Sequence, residues 1–211
     1  MAYDHQEQEQ LDELKAWWKQ HGNHVLLGIA FTAIVLAGFQ GWRYYQRSQA
    51  LAAVTLYQQL DQAERASEHK KVRDIAAQIV ARYASTPYGT YAALAAARAS
   101  YESGDAAGAK SQFTWVMGNA RDDEARDVAR LRLAGVLLDE KNYAEALKQL
   151  EKQPVEALSG LYSDMEGDLF AAQGKKADAR NAYQIALDRS EAGSAYRSIV
   201  QLKLDALGEA K

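Results

Sequence analysis

The sequence predicts an all-α protein, in which a single transmembrane helix near the N-terminus precedes a solenoid of α-hairpins. The composition supports helices, because the 211 residues include only two Pro and 14 Gly, and residues that break helices are therefore scarce. An uncharged, mostly apolar run extends from Gly22 to Trp42. Downstream of it, amphipathic stretches alternate with turn signals, and small and large residues recur in matched positions.

Charge and cysteine content limit the classes of function. Residues 1–24 carry five carboxylates and two lysines, and the whole chain has a formal net charge of -3, so the remaining residues are neutral. A neutral domain has no basic field that could follow a nucleic-acid backbone, and nucleic acid is not an expected partner. The chain has no Cys, which excludes disulfides, thiol nucleophiles and thiolate metal sites.

Residues 1–22 are predicted to form an acidic tail with a short amphipathic helix. In the stretch "EQLDELKAWWKQHG", Leu11, Leu14 and Trp18 share one helical face. Gly22 is expected to end this helix. The simplest interpretation is an anchor that lies at the membrane surface, and a regulatory contact is the alternative.

Residues 23–43 are predicted to form the transmembrane helix. At about 1.5 Å per residue, a helix of this length reaches roughly 30 Å, the thickness of a bilayer core. Its nine strongly apolar residues supply roughly -3 to -5 kcal/mol of insertion free energy. Aromatic and basic residues flank it on both sides, as is typical of membrane interfaces. The expected interface anchors, in contact with lipid, are Trp17, Trp18, Trp42, Arg43, Tyr44 and Tyr45.

Two other interpretations of this run stay open. A cleaved signal peptide would usually have a basic leader, whereas this leader is acidic; Ser48-Gln49-Ala50 is nevertheless an acceptable small-residue cleavage site. A buried helix of a soluble domain would leave the aromatic flanks unexplained. The orientation of the span is undecided, because two lysines on one side balance two arginines on the other.

Residues 44–211 are predicted to form the solenoid. Three segments, 96–113, 133–150 and 166–183, align without gaps. Each has a small residue in its first helix, a small residue in its second helix, and a large residue one turn further on. These positions are, segment by segment, Ala97, Ala109 and Phe113; Ala134, Ala146 and Leu150; and Gly167, Ala179 and Tyr183. Two antiparallel helices approach closely only where both residues are small, and the large side chain fills the space between neighbouring hairpins.

The turns and ends complete this pattern. Tight turns are expected at Gly104-Asp105, Lys141-Asn142 and Gly174-Lys175. Thr86 and Pro87 fit an N-cap and a first helical position. A divergent first pair near 48–67 and 71–84 and a closing helix at 194–207 are also predicted. The pattern resembles the tetratricopeptide (TPR) repeat in a degenerate form; generic packing of α-hairpins is the alternative.

The inventory of reactive residues predicts a protein that is not an enzyme. All four histidines lie at or before position 69, and the repeats therefore lack the usual bases and metal ligands. The acidic run Asp122-Asp123-Glu124 stands where a helix should begin, so capping is a better interpretation than calcium binding. No catalytic residue, metal, cofactor or small-molecule substrate is expected.

Binding is the remaining class of function. The first helix of each pair lines the inner face of such a solenoid, and that face could hold an extended or helical peptide. The predicted partner-binding residues are Tyr91, Leu94, Arg98, Tyr101, Leu131, Leu138, Leu161, Asp164 and Asp168. The alternative is that several of them pack into neighbouring hairpins instead.

Taken together, "KAWWKQHG", one span, "GWRYYQ" and a degenerate TPR domain resemble the YfgM family of ancillary subunits of the bacterial SecYEG translocon. The resemblance covers essentially the whole chain. It implies a single-pass inner-membrane protein with a cytoplasmic tail at residues 1–22 and a periplasmic domain at 44–211. It also implies association with SecYEG and with a membrane-anchored periplasmic prolyl isomerase chaperone, in support of translocated proteins. A scaffold for envelope complexes or stress signalling is the alternative function, and a tethered enzyme is a third.

Overall fold

The computed structural model describes residues 2–208, apart from the side chains of residues 2–10 and 12–14. These residues form nine α-helices, one short 3-10 turn and no strand, which confirms the all-α class. The helices are α1 (Ala2–Arg65), α2 (His69–Tyr83), α3 (Pro87–Glu102), α4 (Ala106–Asn119), α5 (Asp123–Asp139), α6 (Tyr143–Leu150), α7 (Ser159–Ala172), α8 (Lys176–Asp188) and α9 (Ala195–Ala206), with the 3-10 turn at Glu156–Leu158. The chain divides into two compact units, Met1–Gln49 and Ala50–Lys211.

In the first unit, the prediction that a helix ends at Gly22 is wrong. Helix α1 continues through this position, and Gly22 does not have the positive φ that such a stop requires. Gly22 is instead buried beneath the indole of Trp18, where an added Cβ would lie 3.1 Å from the ring. On the predicted amphipathic face, Leu11 and Trp18 are exposed, and the side chain of Leu14 lies outside the described residues.

The apolar run lies in one uninterrupted helix. Among the described residues, one helix, Lys15–Arg65, is long and apolar enough to cross a membrane, and 0% of its most apolar stretch is buried. A core helix of a soluble domain would be mostly buried, so this exposure counts against that interpretation. The boundaries of the tail at 1–22 and of the span at 23–43 stay predictions.

In the second unit, four hairpins share one turn geometry. The pairs are residues 50–65 of α1 with α2, α3 with α4, α5 with α6, and α7 with α8. The second residue after each first helix has a positive φ: 54° at Ser67, 81° at Gly104, 60° at Lys141 and 74° at Gly174. The following amide donates to the carbonyl five residues back, at 2.8–2.9 Å in all four turns. The three predicted turns and the divergent first pair are therefore confirmed.

The small residues lie where the paired helices approach. Ala97, Ala109, Ala134, Ala146 and Ala179 are fully buried. At Gly167, an added Cβ would lie 3.0 Å from Cγ of Tyr183 and closer still to its ring edge. The large residues, Phe113, Leu150 and Tyr183, are buried as predicted.

The helix ends agree with the predicted positions and differ in one detail. Thr86 stands at the N-cap of α3 with Pro87 at the first turn, but its hydroxyl donates to the carbonyl of Tyr83 at 2.8 Å and caps nothing. Asp122 is a true cap, because its carboxylate accepts from the amide of Ala125 at 2.7 Å. Helix α9 closes the solenoid and is followed by Gly208 with a φ of 75°.

Candidate partner-binding surface

The structure separates the nine predicted binding residues into three groups. Tyr91, Arg98 and Tyr101 are exposed on α3. Leu94, Leu138 and Leu161 are half-buried and pack against the core, and Leu131 belongs to that core. Asp164 is buried and Asp168 half-buried, both on α7. The open part of the predicted face is therefore the surface of α3.

Tyr57 joins this surface from the first hairpin. Its ring centroid lies 5.3 Å from that of Tyr88 and 6.3 Å from that of Tyr91, and these three residues are called the tyrosine surface below. Burial raises the pKa of the Tyr57 hydroxyl, and the carboxylates of Glu64 and Asp61 raise it further. The sequence prediction missed Tyr57, although residues 57, 61 and 64 share one helical face, because the first hairpin lacked the repeat signature.

A charged cluster adjoins the tyrosine surface. Arg98 Nε donates to Glu102 Oε1 at 2.8 Å, and the other oxygen of Glu102 lies 3.6 Å from His69 Nδ1. Burial raises the pKa of the Glu64 carboxyl, and the nearby guanidinium of Arg98 opposes that shift. Together with Ser67, these side chains line a cavity of about 360 Å³.

Tyr101 connects α3 to α5. Its hydroxyl donates to Asp139 Oδ2, and this hydrogen bond raises the pKa of the Tyr101 phenol. The ring is still 47% exposed. Tyr101 can therefore offer its ring face to a partner, while its hydroxyl already has an acceptor.

Asp164 and Asp168 hold the closing helix in place. Lys203 Nζ of α9 donates to Asp164 Oδ1 at 2.8 Å and to Asp168 Oδ2 at 2.7 Å. The hydroxyl of Tyr183 also donates to Asp168, at 2.8 Å. These contacts match the alternative to partner binding, in which both carboxylates pack against other helices of the fold. Sequence reasoning missed Lys203 because it lies 35 residues or more from its partners.

The pKa shifts in this cluster follow from burial and from the charged and hydrogen-bonding neighbours of each group. Burial lowers the pKa of Lys203, but hydrogen bonds to two carboxylates outweigh it, and the net shift is upward. Burial raises the pKa of Asp164, which has one ammonium partner and also the like charge of Asp168 nearby. The two upward shifts are compatible, because the lysine faces two opposite charges and Asp164 only one.

The predicted membrane anchors lie in the first unit. Trp17, Trp18, Trp42, Tyr44 and Tyr45 are all exposed. Arg43 is exposed as well, and its guanidinium carbon lies 5.7 Å from the centroid of the Phe39 ring. Exposed aromatic rings at the ends of an apolar helix are typical of an interfacial belt. Their role as lipid anchors stays a prediction.

Known proteins similar to the chain identify its family. The family described as a tetratricopeptide repeat-like domain matches residues 15–209. The chain is 30% identical over 214 residues to a Neisseria gonorrhoeae protein named ancillary SecYEG translocon subunit, and the match covers 98% of this chain and 100% of that relative. The chain belongs to the ancillary SecYEG translocon subunit family. The resemblance drawn from "KAWWKQHG", "GWRYYQ" and the repeats is confirmed.

Other members of the family match over nearly the same length. A Haemophilus influenzae protein of the same name is 28% identical over 87% of this chain and 90% of its own length. An Escherichia coli relative is 26% identical over 95% of this chain and 96% of its own length. No solved structure matches the chain. A TPR-like ancillary subunit is a non-catalytic kind of protein, and the family name and the exposed apolar helix fit an inner-membrane protein.

Proposed function

We propose that this protein is a membrane-anchored, non-enzymatic subunit that associates with the SecYEG translocon and assists proteins that emerge from it. The observation that carries the proposal is the match, over nearly the whole chain, to relatives named as ancillary SecYEG translocon subunits. The exposed apolar helix supports a membrane location. The α-hairpin domain supports a role in binding, because stacked hairpins present extended surfaces to other polypeptides.

The proposed topology places the N-terminus in the cytoplasm and the hairpin domain in the periplasm of a bacterium. The chain has no Cys, so single-cysteine variants give unambiguous labelling. In intact spheroplasts, a membrane-impermeant maleimide is expected to label Glu191→Cys, in the exposed loop before α9, and to spare Gln20→Cys until the membrane is opened. The reverse pattern would overturn this orientation.

The proposed partners are SecYEG and a membrane-anchored periplasmic prolyl isomerase chaperone. A photo-crosslinking amino acid at Tyr44, which is 77% exposed, is expected to capture translocon subunits in native membranes. The same probe at Tyr91 is expected to capture the chaperone or a translocating chain. A probe at the exposed residue Gln184 on α8 serves as the matched control. Crosslinks to lipid alone at Tyr44 contradict the association with the translocon.

The surface that we propose for partner binding is the exposed part of α3. It includes Tyr91, Arg98 and Tyr101, with Leu94 at its base. Half-exposed aromatic rings beside a guanidinium are the side chains that protein interfaces favour. If Tyr44 crosslinks to the translocon while Tyr91 captures neither a chaperone nor a translocating chain, the scaffold alternative is favoured instead.

A further inference from the structure

The tyrosine surface combines packed and open rings. Tyr57 and Tyr88 are half-buried against the core that the first hairpin shares with α3, whereas Tyr91 is 50% exposed. The packed rings hold the surface in place, and the open ring is free to stack on another side chain. Tyrosine suits binding surfaces because a large contact area costs little conformational entropy.

A carboxylate beside this surface has no hydrogen-bonding partner among the described residues, although the guanidinium of Arg98 lies near it. Glu64 lies seven residues after Tyr57, on the same helical face, and its carboxylate makes no hydrogen bond or ion pair of 4 Å or less with the described residues, although its backbone carbonyl accepts from the amide of Ser67. Arg98, the neighbouring cation, donates to Glu102 instead. Asp61 is bonded to Arg65, in an exposed pair of the kind that contributes little. Glu64 therefore keeps its capacity to accept hydrogen bonds.

Space for a side chain exists next to Glu64. The cavity of about 360 Å³ is bounded by Glu64 and Ser67 from the first turn region, His69 and Val72 from α2, and Arg98 from α3. The cavity has room for one long side chain, and Glu64, which lines it, is close enough to Tyr57 for its charge to act on the Tyr57 hydroxyl. The ionisable residues that line the cavity are Glu64, Glu102, Arg98 and His69. With His69 neutral, two carboxylates face one guanidinium, so the local charge favours a cationic group.

We propose that the tyrosine surface binds an extended polypeptide segment in which a Lys or Arg lies two residues from an apolar or aromatic residue, because alternate side chains of an extended chain face the same side. The cationic group bonds to Glu64, and the apolar or aromatic side chain stacks on Tyr91. The inference rests on the proposed function, because it names the class of segment that the α3 surface recognises. A cation gains both from a carboxylate and from adjacent aromatic faces, whereas an acidic segment is repelled.

The test uses the full chain in lipid nanodiscs and fluorescein-labelled synthetic peptides read by anisotropy. Three peptides share the same aromatic and apolar residues and carry Lys, Gln or Glu at one central position. The Lys peptide is expected to bind about five- to tenfold more tightly than the Gln peptide, and the Glu peptide most weakly. The preference for Lys should shrink as salt increases, because charges near the surface are screened.

Single-residue variants show which side chains are responsible for the preference for the Lys peptide. Glu64→Gln, which keeps the side-chain size, is expected to weaken Lys-peptide binding about five- to tenfold and to leave Gln-peptide binding unchanged. Tyr91→Ala is expected to weaken all three peptides. The matched controls are Glu191→Gln and Leu202→Ala, an exposed carboxylate and an exposed apolar residue remote in sequence, and both should bind like the parent chain. Far-UV circular dichroism verifies that each variant is folded.

The outcomes separate this inference from the proposed function. Equal binding of the Lys and Gln peptides, or a preference for Glu, overturns the inference and leaves α3 as a peptide-binding surface. Binding that Glu64→Gln does not change overturns the role of this carboxylate. If no peptide binds, the inference fails, and the peptide-binding role of α3 then depends on the crosslinks at Tyr91. Association with SecYEG is measured separately, by crosslinking at Tyr44.

Discussion

Two glycines in first helices of the repeats should respond in opposite directions to the same substitution. Gly167 of α7 faces the ring of Tyr183, where a Cβ would lie 3.0 Å from Cγ and closer to the ring edge. Gly135 of α5 has room for a methyl group instead, because its Cβ would lie 3.6 Å from the terminal methyl of Met165, an ordinary van der Waals contact. Both positions are helical, so both gain the same helix propensity when Ala replaces Gly.

The magnitudes follow from this geometry. Ala instead of Gly stabilises a helix interior by about 1 kcal/mol. At Gly167, overpacking costs about 2–3 kcal/mol, because the hydrogen bond from Tyr183 to Asp168, at 2.8 Å, prevents the ring from moving away easily. The net expectation is a loss of about 1–2 kcal/mol for Gly167→Ala and a gain of up to about 1 kcal/mol for Gly135→Ala.

Thermal unfolding of the full chain in detergent, followed by far-UV circular dichroism, measures both changes. A change of 1 kcal/mol shifts the Tm by about 2–4 °C in a domain of this size. Gly167→Ala should therefore lower the Tm by about 2–8 °C and Gly135→Ala raise it by up to about 4 °C. Adding Tyr183→Leu to Gly167→Ala should recover part of the loss beyond the sum of the single changes. An equal shift in both single variants would refute close approach as the reason for Gly167.

Three further predictions concern ion pairs, pH and caps. Lys203→Met should destabilise α9 by about 1–3 kcal/mol, because it leaves a buried and a half-buried carboxylate without a cationic partner, whereas Lys110→Met, in a more exposed pair, should cost less than about 1 kcal/mol. Hydrogen exchange, followed in α9 for Lys203→Met and in α4 for Lys110→Met, tests this, and equal effects would contradict it. Burial raises the pKa of the Tyr162 hydroxyl from 10.0 to about 12. The stabilisation linked to this shift is therefore complete below pH 10, because the hydroxyl is protonated in both the folded and the unfolded chain. Between pH 10 and pH 12 it is lost at about 1.4 kcal/mol per pH unit. Urea unfolding of Tyr162→Phe should show a correspondingly shallower decline in that window, and an unchanged decline would count against the shift. Asp122→Ala should cost about 1 kcal/mol of unfolding free energy and Thr86→Ala clearly less, because, of these two side chains, Asp122 caps its helix and Thr86 does not. The same urea titration ranks the two, and the opposite order would be inconsistent with this assignment.

Local patterns in the sequence were enough to predict the helices, the turns and the register of the repeats. Gly104 and Gly174 mark turns because glycine tolerates a positive φ. Ser67 and Lys141 adopt the same geometry without being glycine, since packing of the paired helices imposes it. The prediction failed at Gly22, because a glycine can end a helix or can make room for a neighbouring ring, and the sequence looks alike in both cases.

At the candidate surface, the sequence predicted which residues share a helical face but not which of them remain open to a partner. Spacing along α3 predicted that Tyr91, Arg98 and Tyr101 share a face, and all three are exposed. Spacing along α7 predicted equally well that Asp164 and Asp168 share a face with binding residues. Only the tertiary structure shows that Lys203 holds both carboxylates.

The sequence by itself therefore determined the class of the protein, an all-α chain with one long apolar helix and repeated hairpins, because helical periodicity and turn residues are local properties. Only the tertiary structure decided which polar side chains of the first helices remain available for a partner. Availability depends on neighbours that are distant along the chain, as Tyr57 is from Tyr91 and Lys203 from Asp164. Such pairings leave no trace in the spacing of either helix.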